Sequence, residues 1–415
     1  MKIEHVLFIG NFQLELAREI AKRGIKVNII VDKSNKSSSK KLDRIDFPAN
    51  IYEAISLAEL TIKQENLEKF FEEINANSCL IIPREEKYLR TSIEIAEKYS
   101  LRPAKNVLQK LTPFKDKVSL RGHLSEINSD FITKSEAISN LAELERISHK
   151  FDLPFILKPS NQSGSKGVFL IDSIDTLRKT VREIKQNANL TSSEWLVEDY
   201  IQGKQFSIDA IVDWEGKIKL YPLVEQKTIA SSLAIDFSQT PVSSDKQTVA
   251  HIRESVEKLI QEFQLKMCVL HIEIKYDKEH EKIGVIEINP RMGGFRQTLY
   301  KYAYGFDYIT GIVNTISGSN LKSRENMPKR FVRVFYIYAD ELGKFTAFTR
   351  ATDNLEGIEE IKPFAREGDI VGPPELGFPK LAQVTIVAEN HSQLDLKQEK
   401  ISTLLKPKIL ADDLS

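Results

Sequence analysis

The stretch HIEIKYDKEHEKIGVIEINPRMGGF, residues 271–295, predicts two β-strands joined by a charged turn. Polar and apolar residues alternate in both halves, a pattern typical of strands whose two faces meet different surroundings. Antiparallel pairing would bring Glu273, Glu287 and Asn289 onto one face, and the alternation predicts Val285 on that face as well. Two carboxylates and an amide oxygen suit a hard cation such as Mg²⁺, which takes its other ligands from water and phosphate.

The residues directly after the second strand extend this prediction to an anionic ligand. Arg291 is a planar cation that suits phosphate or carboxylate. The Gly293–Gly294 pair allows the backbone to approach a ligand closely. A surface hairpin with solvated carboxylates is the alternative, and it would be favoured for Glu273 alone. The unit EINPRMGG as a whole favours a binding site.

These residues resemble the metal-binding signature of the ATP-grasp superfamily, in which an acid is followed on the next strand by Glu-x-Asn and then by Pro-Arg. The resemblance implies a multidomain α/β and α+β fold. An N-terminal parallel, Rossmann-like α/β domain would precede an ATP-grasp fold with a lid subdomain and a C-terminal antiparallel lobe. The implied domains are 1–112, 113–204, 205–330 and 331–415. The members most similar to this chain are L-amino-acid ligase-like (dipeptide synthase) and biotin carboxylase-like enzymes.

Length and composition set the broad class of the protein. At 415 residues, two to four domains are expected. Hydrophobic residues make up 41% and charged residues 28%, as in ordinary soluble proteins. Lys+Arg and Asp+Glu both number 59, so neither nucleic acid nor a membrane is expected as a partner. The two cysteines, Cys79 and Cys268, lie in apolar runs, which predicts small core residues and fits the cytoplasm.

The N-terminus predicts a βαβ unit with strands at Val6–Ile9 and Ile25–Val31. A dinucleotide site would need G-x-G-x-x-G after the first strand, but the turn holds the single glycine Gly10. Asp32 occupies the place of a ribose-binding acid, which is weak support without the other glycines. This domain is therefore interpreted as a scaffold that also carries substrate-side loops.

Two lysines upstream of the hairpin match the phosphate contacts of the superfamily. A helix is predicted to start after Pro113 with Lys115 and Lys117 in its first turn, where lysine opposes the helix dipole and suggests a nearby anion. The strand Phe155–Lys158 leads into a loop of small residues that resembles the ATP-grasp lid. The resemblance implies ATP contacts from Lys117, Lys158, Ser163, Gly164, Ser165 and Gly167.

The strand WLVEDYI, residues 195–201, resembles the hinge where ATP-grasp proteins hold adenine and ribose. The resemblance implies that Glu198 and Ile201 contact adenine. The family usually places Glu where this chain has Gln205, which would bind the ribose hydroxyls. Glutamine can still donate to and accept from a hydroxyl group, but the difference affects nucleotide preference or affinity.

Residues on the substrate side are less well defined by the sequence. Glu225 follows a predicted hairpin of strands at 206–212 and 217–224, and a loop is predicted over Thr228–Ser244. Within that loop Asp236 is a candidate for binding an amine, with an ordinary loop acid as the alternative. Gly293 and Gly294 are the remaining substrate-side candidates.

The resemblance implies a carboxylate–amine ligase that forms an amide or peptide bond through an acyl phosphate. ATP and Mg²⁺, or Mn²⁺, would be required, and Arg291 would be the catalytic cation. Two alternatives stay open: activation of bicarbonate, as in biotin carboxylase-like enzymes, and an ATP-binding regulator without catalysis. The substrates would be small molecules, and a homodimer is expected for this architecture.

Overall fold

The structure, a computed structural model, describes most of the chain, and the statements that follow concern the described residues. The described ranges are 3–32, 42–56, 61–62, 64–83, 88–103, 105–127, 129–131, 133–160, 167–186, 194–229, 236–242, 245–318, 328–349, 357–374 and 378–410. Strand pairing in these ranges gives four sheets, three of which carry the main units of the fold.

The N-terminal sheet has the order β4-β3-β2-β1-β5, and all of its pairings are parallel except β3 with β4. Its strands are β1 His5–Gly10, β2 Lys26–Asp32, β3 Ala49–Ser56, β4 Thr61–Ile62 and β5 Cys79–Pro83. Its helices are α1 Leu14–Lys22, α2 Gln64–Glu73, α3 Leu89–Lys98 and α4 Lys105–Gln109. The predicted βαβ start is confirmed. The hydroxyl of Tyr88 donates to Asp32 at 2.8 Å, and its ring fills the space where a Cβ on Gly10 would lie.

The second sheet, β6-β9-β7-β8, is antiparallel and forms the lid unit. The elements are α5 Lys117–Glu126, β6 Ser135–Ile138, α6 Leu144–Ser148, β7 Phe155–Pro159, β8 Phe169–Ile171, α7 Ile174–Gln186 and β9 Trp195–Asp199. The prediction that Lys115 lies in the first turn of the helix is wrong. Asp116 caps α5 by accepting from the Ser119 N–H at 2.7 Å, so the helix begins at Lys117.

The third sheet joins nine strands, with the order β15-β14-β10-β12-β13-β16-β20-β18 and β11 paired to β10. Its strands are β10 Lys204–Val212, β11 Ile218–Leu220, β12 Val224–Thr228, β13 Asp236–Pro241, β14 Cys268–Asp277, β15 Lys282–Asn289, β16 Phe331–Ile337, β18 Ile358–Pro363 and β20 Ala382–Ala388. Helices α8 Lys246–Glu262, α9 Arg296–Tyr304 and α10 Tyr308–Ile316 belong to the same unit. The sheet runs without interruption across residue 330, where a domain boundary is predicted.

The prediction of a loop over Thr228–Ser244 is wrong where β13 forms. This strand pairs with β12 and β16 and closes the gap between the two halves of the large sheet. Its side chains are polar because they bind buried arginines: Gln239 accepts from Arg296, and Thr240 accepts from Arg333. A search for apolar alternation therefore did not reveal this strand.

The C-terminal residues add a small sheet, β19-β17-β21, beside the large one. Its elements are β17 Gly343–Phe348, β19 Ile370–Val371, α11 His391–Leu404 and β21 Pro407–Leu410. Within the described ranges no helix is long and apolar enough to cross a membrane.

Hydrophobic packing separates the four-stranded sheet of the lid unit from the rest of the molecule, whereas Leu120 and Leu124 of α5 belong to the core of the N-terminal and large sheets. One core combines Leu7 and Ile9 of β1 with Ile208 and Ile272 of the large sheet, so the N-terminal sheet packs directly on it. The lid unit has a core of its own, formed around Phe155 and other residues of its sheet. Both cysteines are buried, as predicted, and burial raises the pKa of each thiol to about 12.

Candidate active site

The hairpin of β14 and β15 presents two acids side by side. Glu273 lies directly opposite Glu287, and His271 lies directly opposite Asn289, so all four residues share one face of the sheet. The two glutamate side chains are 24% and 30% exposed, which leaves both accessible to a ligand. The predicted pairing of these residues is confirmed; their role as metal ligands stays a prediction.

A β-bulge interrupts the strict alternation on β15. Glu273 pairs with Glu287 but Ile274 pairs with Val285, so Ile286 is an extra residue without an opposite partner. The prediction that Val285 shares a face with Glu287 is therefore wrong: Val285 is fully buried in the core. The bulge also frees the carbonyl of Ile286, which accepts from Nη2 of Arg121 at 3.3 Å.

Hydrogen-bonding or positively charged partners lie beside both acids. Burial raises the pKa of the Glu273 carboxyl, but the hydrogen bond from His271 Nε2 at 3.2 Å and the nearby positive charges outweigh it, and the net pKa is lowered. Nζ of Lys117 lies 3.8 Å from Glu287. Lys117 is the first residue of α5, a position at which a lysine suggested a nearby anion. Glu287 is such an anion.

The donor set of the hairpin fits a hard divalent cation that keeps several non-protein ligands. Two carboxylates face each other, and the Asn289 amide hydrogen-bonds to Glu287 on the same face. Among the described residues no cluster of three or more His, Cys, Asp or Glu side chains could hold a metal ion alone. A site with two carboxylates and one amide matches Mg²⁺, which binds few protein oxygens and shares its remaining positions with water and phosphate.

A second group of charges, named here the lid-base cluster, consists of Arg121, Lys158 and Glu198. Nζ of Lys158 donates to one oxygen of Glu198, and Nη2 of Arg121 lies 2.9 Å from the other. All three side chains are buried. Burial, together with the charge of Arg121, lowers the pKa of Lys158 to about 8 despite the opposing charge of Glu198. Nη1 of Arg121 has no hydrogen-bond partner among the described residues, so the cluster has a spare buried donor.

Arg121 was not among the predicted site residues. It lies four positions after Lys117, and residues at this spacing share one face of a helix. The four-residue spacing was the signal in the sequence that Arg121 lies on the same side of α5 as Lys117. Both cations contact acids of the site.

The structure also places Ile201 and Gln205, predicted to contact adenine and ribose, beside the hairpin. Ile201 packs on Gly284 of β15, where an added Cβ would lie 2.5 Å from its Cδ1 atom. Gln205 lies opposite Lys275 of β14, and its Nε2 atom is 3.4 Å from both Gln226 and Glu273. Of the predicted lid residues, Ser163, Gly164 and Ser165 lie outside the described residues. Gly167 is described and has a positive φ of 69°.

The predicted substrate residues are only partly brought together with the hairpin. Arg291 is half-buried and close enough for its charge to lower the pKa of Glu273. Glu225 is opposite Phe206, so it lies on the sheet face away from Glu273 and pairs with Lys204 at 3.4 Å. Its substrate role stays a prediction, and the strand alternation turns its side chain to the face opposite Glu273. Asp236 is the first residue of β13, and nothing further is described of its side chain.

A third group of polar residues, the Asp209 cluster, was missed by sequence reasoning. It consists of Asp209, His271, Arg296 and Tyr308, all buried. Burial raises the pKa of Asp209, but the charges of His271 and Arg296 outweigh this effect and the net pKa is lowered. Burial lowers the pKa of His271, but Asp209 and Glu273 outweigh it and the net pKa is raised. An acid within the apolar strand FSIDAIV was the available signal, because a buried charge needs partners.

Comparison with known proteins identifies the domain that carries the hairpin. Residues 151–299 match the family model described as ATP-grasp domain. This chain therefore carries an ATP-grasp domain, as the resemblance of its hairpin predicts.

Several relatives and solved structures are similar to this chain. It is 22% identical over 251 residues to the carbamoyl phosphate synthase large chain of Rubrobacter xylanophilus, covering 57% of this chain and 23% of that protein. The chain spans between 22% and 61% of the length of the curated relatives it matches. The L-amino acid ligase from Bacillus licheniformis has a TM-score of 0.76 at 15% identity, over 99% of this chain and 100% of the other.

A further structure with the same fold was solved with ligands. It is the biotin carboxylase domain dimer of 2-oxoglutarate carboxylase from Hydrogenobacter thermophilus, in complex with MgADP, ADP and bicarbonate. Its TM-score is 0.68 at 14% identity, covering 99% of this chain and 91% of the other. At these identities the structures establish a shared fold for the whole chain, including the N-terminal and C-terminal units.

Proposed function

We propose that this protein is an ATP-dependent carboxylate–amine ligase that forms an amide bond between an amino acid and an amine. The observation that carries the proposal is the opposed pair Glu273 and Glu287, with Lys117 beside one acid and Arg291 close enough for its charge to act on the other. Lys117 lies against Glu287, Lys158 is buried at the base of the lid, and Arg291 follows the hairpin. Such a group of acids and cations suits a nucleoside triphosphate bound with a divalent cation.

The proposed reaction proceeds through an acyl phosphate. A carboxylate oxygen of the first substrate attacks the γ-phosphorus, the bond from that phosphorus to the bridging oxygen breaks, and ADP leaves. The amine of the second substrate then attacks the acyl carbon, loses a proton, and phosphate leaves. Negative charge grows on the transferred group and later on the acyl oxygen, so fixed cations are the main catalytic tools.

Each role falls to a residue with a suitable position. Glu273, Glu287 and Asn289 would hold Mg²⁺, or Mn²⁺, which supplies positive charge to the phosphate oxygens. Lys117 and Lys158 neutralise phosphate oxygens. Arg291 binds the transferred phosphoryl group and then the oxyanion at the acyl carbon. A lid of the kind that ATP-grasp proteins carry would exclude water from the acyl phosphate.

The likeness to L-amino acid ligase supports an amino-acid substrate. The likeness to the dimeric biotin carboxylase domain supports a homodimer, and it makes bicarbonate the second substrate to test. The two buried, unpaired thiols suit a reducing compartment such as the cytoplasm.

Release of ADP under three conditions tests the proposal. The purified protein is incubated with Mg·ATP and pairs of amino acids, with Mg·ATP and bicarbonate, or with Mg·ATP alone, and calorimetry measures nucleotide binding in parallel. We expect release that depends on an amino-acid pair. Release that requires bicarbonate would replace the proposal with a carboxylase, and saturable binding without turnover under any condition would replace it with a regulator.

A matched pair of variants separates chemistry from folding. Glu287→Gln removes an acid from the site, while Glu279→Gln removes an exposed acid from the tip of the same hairpin. We expect turnover to fall in the first variant only, with similar melting temperatures in both. Equal turnover in the two variants would show that Glu287 is a surface acid.

A further inference from the structure

Asp209 lies in the middle of β10, and its side chain is fully buried. One carboxylate oxygen accepts from His271 Nδ1 at 2.7 Å and from Arg296 Nε at 3.2 Å. The other accepts from the backbone N–H of Gly293 at 2.8 Å and from the hydroxyl of Tyr308 at 2.9 Å. With four donors on two oxygens the carboxylate is saturated, which is the condition under which a buried charge persists.

Two of these donors lead from Asp209 to the candidate active site. His271 bridges two acids, because its Nδ1 faces Asp209 and its Nε2 lies 3.2 Å from Glu273. An imidazolium donates from both nitrogens, so the ring ties Glu273 to the interior of the sheet. The second link is the backbone of Gly293, two residues after Arg291. The Asp209 carboxylate thus contacts two segments. Through His271 it contacts the strand that carries Glu273, and through Gly293 it contacts the segment that carries Arg291.

Packing makes the two links depend on each other. A Cβ on Gly293 would lie 2.4 Å from Nδ1 of His271 and 2.9 Å from a carboxylate oxygen of Asp209, closer than atoms in proteins approach. Glycine is required here because the imidazole ring lies directly against the backbone. Any side chain at this position would push the ring away from Asp209, and with it the hydrogen bond to Glu273.

We infer that Asp209 and His271 are positioning residues that fix Glu273 and the Arg291–Gly293 segment relative to each other for cation binding. The inference rests on the proposed function, since it assumes that Glu273 binds the cation. Neither residue needs to touch the nucleotide. Their contribution is to keep one carboxylate oriented toward the position that the cation occupies, as hydrogen-bonded partners of metal ligands generally do.

Replacement of His271 tests this inference through metal affinity. Binding of Mn²⁺ to the protein–ADP complex is measured by calorimetry and by electron paramagnetic resonance, together with ADP binding without metal and the melting temperature. His271→Asn retains an amide near Asp209 but cannot reach Glu273, and we expect Mn²⁺ to bind about 10- to 100-fold more weakly. His271→Gln places its amide nitrogen near the position of Nε2 and should recover part of this loss.

Two further variants control for folding. Gly293→Ala removes no polar group but crowds His271, so it should also weaken Mn²⁺ binding. Tyr300→Phe removes a comparable buried hydroxyl, whose hydrogen bond goes to the Pro222 carbonyl at 3.1 Å rather than to Asp209. We expect this control to lower the melting temperature without changing Mn²⁺ affinity.

The outcomes separate this inference from the proposed function. If the wild type binds no Mn²⁺ with ADP, both are overturned. If the wild type binds Mn²⁺ and His271→Asn and Gly293→Ala bind it equally well, the Asp209 cluster is structural only and this inference alone is overturned. Weaker binding in both variants, with ADP affinity retained in the absence of metal, supports it.

Discussion

The lid-base cluster and the Asp209 cluster both bury an ionised acid among cations, yet they connect different parts of the molecule. Glu198 joins a lysine of the lid strand β7 to an arginine of α5, and that arginine reaches the hairpin at the Ile286 carbonyl. Asp209 instead joins β10 to β14 and to the helices that follow the hairpin. The first cluster spans the lid and the large sheet, whereas the second lies within the unit formed by the large sheet.

The two clusters also differ in how many of their buried polar atoms have hydrogen-bond partners. The acceptors of Asp209 are saturated, while Arg121 retains a buried nitrogen without a partner in the described part of the chain, and burial lowers the pKa of Lys158. A buried charge with spare donors is expected where a ligand completes the set, and a saturated one where the protein supports a neighbouring site. From this difference we propose that the lid-base cluster contacts a ligand and that the Asp209 cluster supports a neighbouring site.

The largest expected effect on stability belongs to the saturated cluster. Asp209→Ala leaves His271, Arg296 and the Gly293 N–H buried without their acceptor, so the free energy of unfolding should fall by about 3–5 kcal/mol. Urea denaturation measures the change, with Glu279→Ala as an exposed control. A loss below about 1 kcal/mol would mean that water replaces the carboxylate and that the cluster is not a structural support.

Replacing Arg291 tests the role of a cation that belongs to neither cluster. In the proposed reaction its charge acts on groups that become negative, so Arg291→Ala should lower kcat by about 10²–10³ and raise KM for ATP much less. Arg291→Lys keeps the charge but loses the two parallel donors, and it should recover little. Steady-state ADP release with an identified substrate pair measures both. A near-normal kcat for Arg291→Ala would show that this residue only caps the hairpin.

The lowered pKa of Lys158 gives the lid-base cluster its own pH dependence. Between about pH 8 and the ordinary lysine value the unfolded chain binds more protons than the folded one, so the contribution of Lys158 to stability rises with pH. Binding of a phosphate needs the charged lysine, so nucleotide affinity should fall as the pH rises above about 8. Lys158→Arg stays protonated and should remove this fall in calorimetric titrations. The same decline in the variant would assign it to another group.

The smallest effect is expected at Glu225, which contacts neither cluster in the described residues. It lies on the opposite face of the sheet and is paired with an exposed lysine, so Glu225→Gln should change the free energy of unfolding by less than about 1 kcal/mol. Its kcat/KM should match the wild type. A large loss of turnover would contradict the face that strand pairing assigns to Glu225 and would return it to the substrate side.

The sequence predicted the features that depend on local pattern. Alternation in HIEIKY and GVIEIN indicated the hairpin, and the order of residues around Lys158 and Asn289 resembled a known signature. The partners of Asp209 could not be predicted, because they lie 62 to 99 residues away and only the tertiary fold brings them together. Strand β13 was not predicted for a related reason: its polar side chains accept hydrogen bonds from buried arginines of distant elements.

The bulge at Ile286 sets the phase of the second hairpin strand. Val285, before the bulge, faces the core, whereas Glu287 and Asn289, after it, face the site. Deleting this one residue would put the two halves in conflict, so that either Val285 leaves the core or the acid turns into it. If another protein lacks the bulge and is aligned to this strand without a gap at Ile286, its core positions are matched to ligand-facing positions of this strand. Comparisons of this strand with other proteins should therefore be anchored at the bulge rather than at the charged turn.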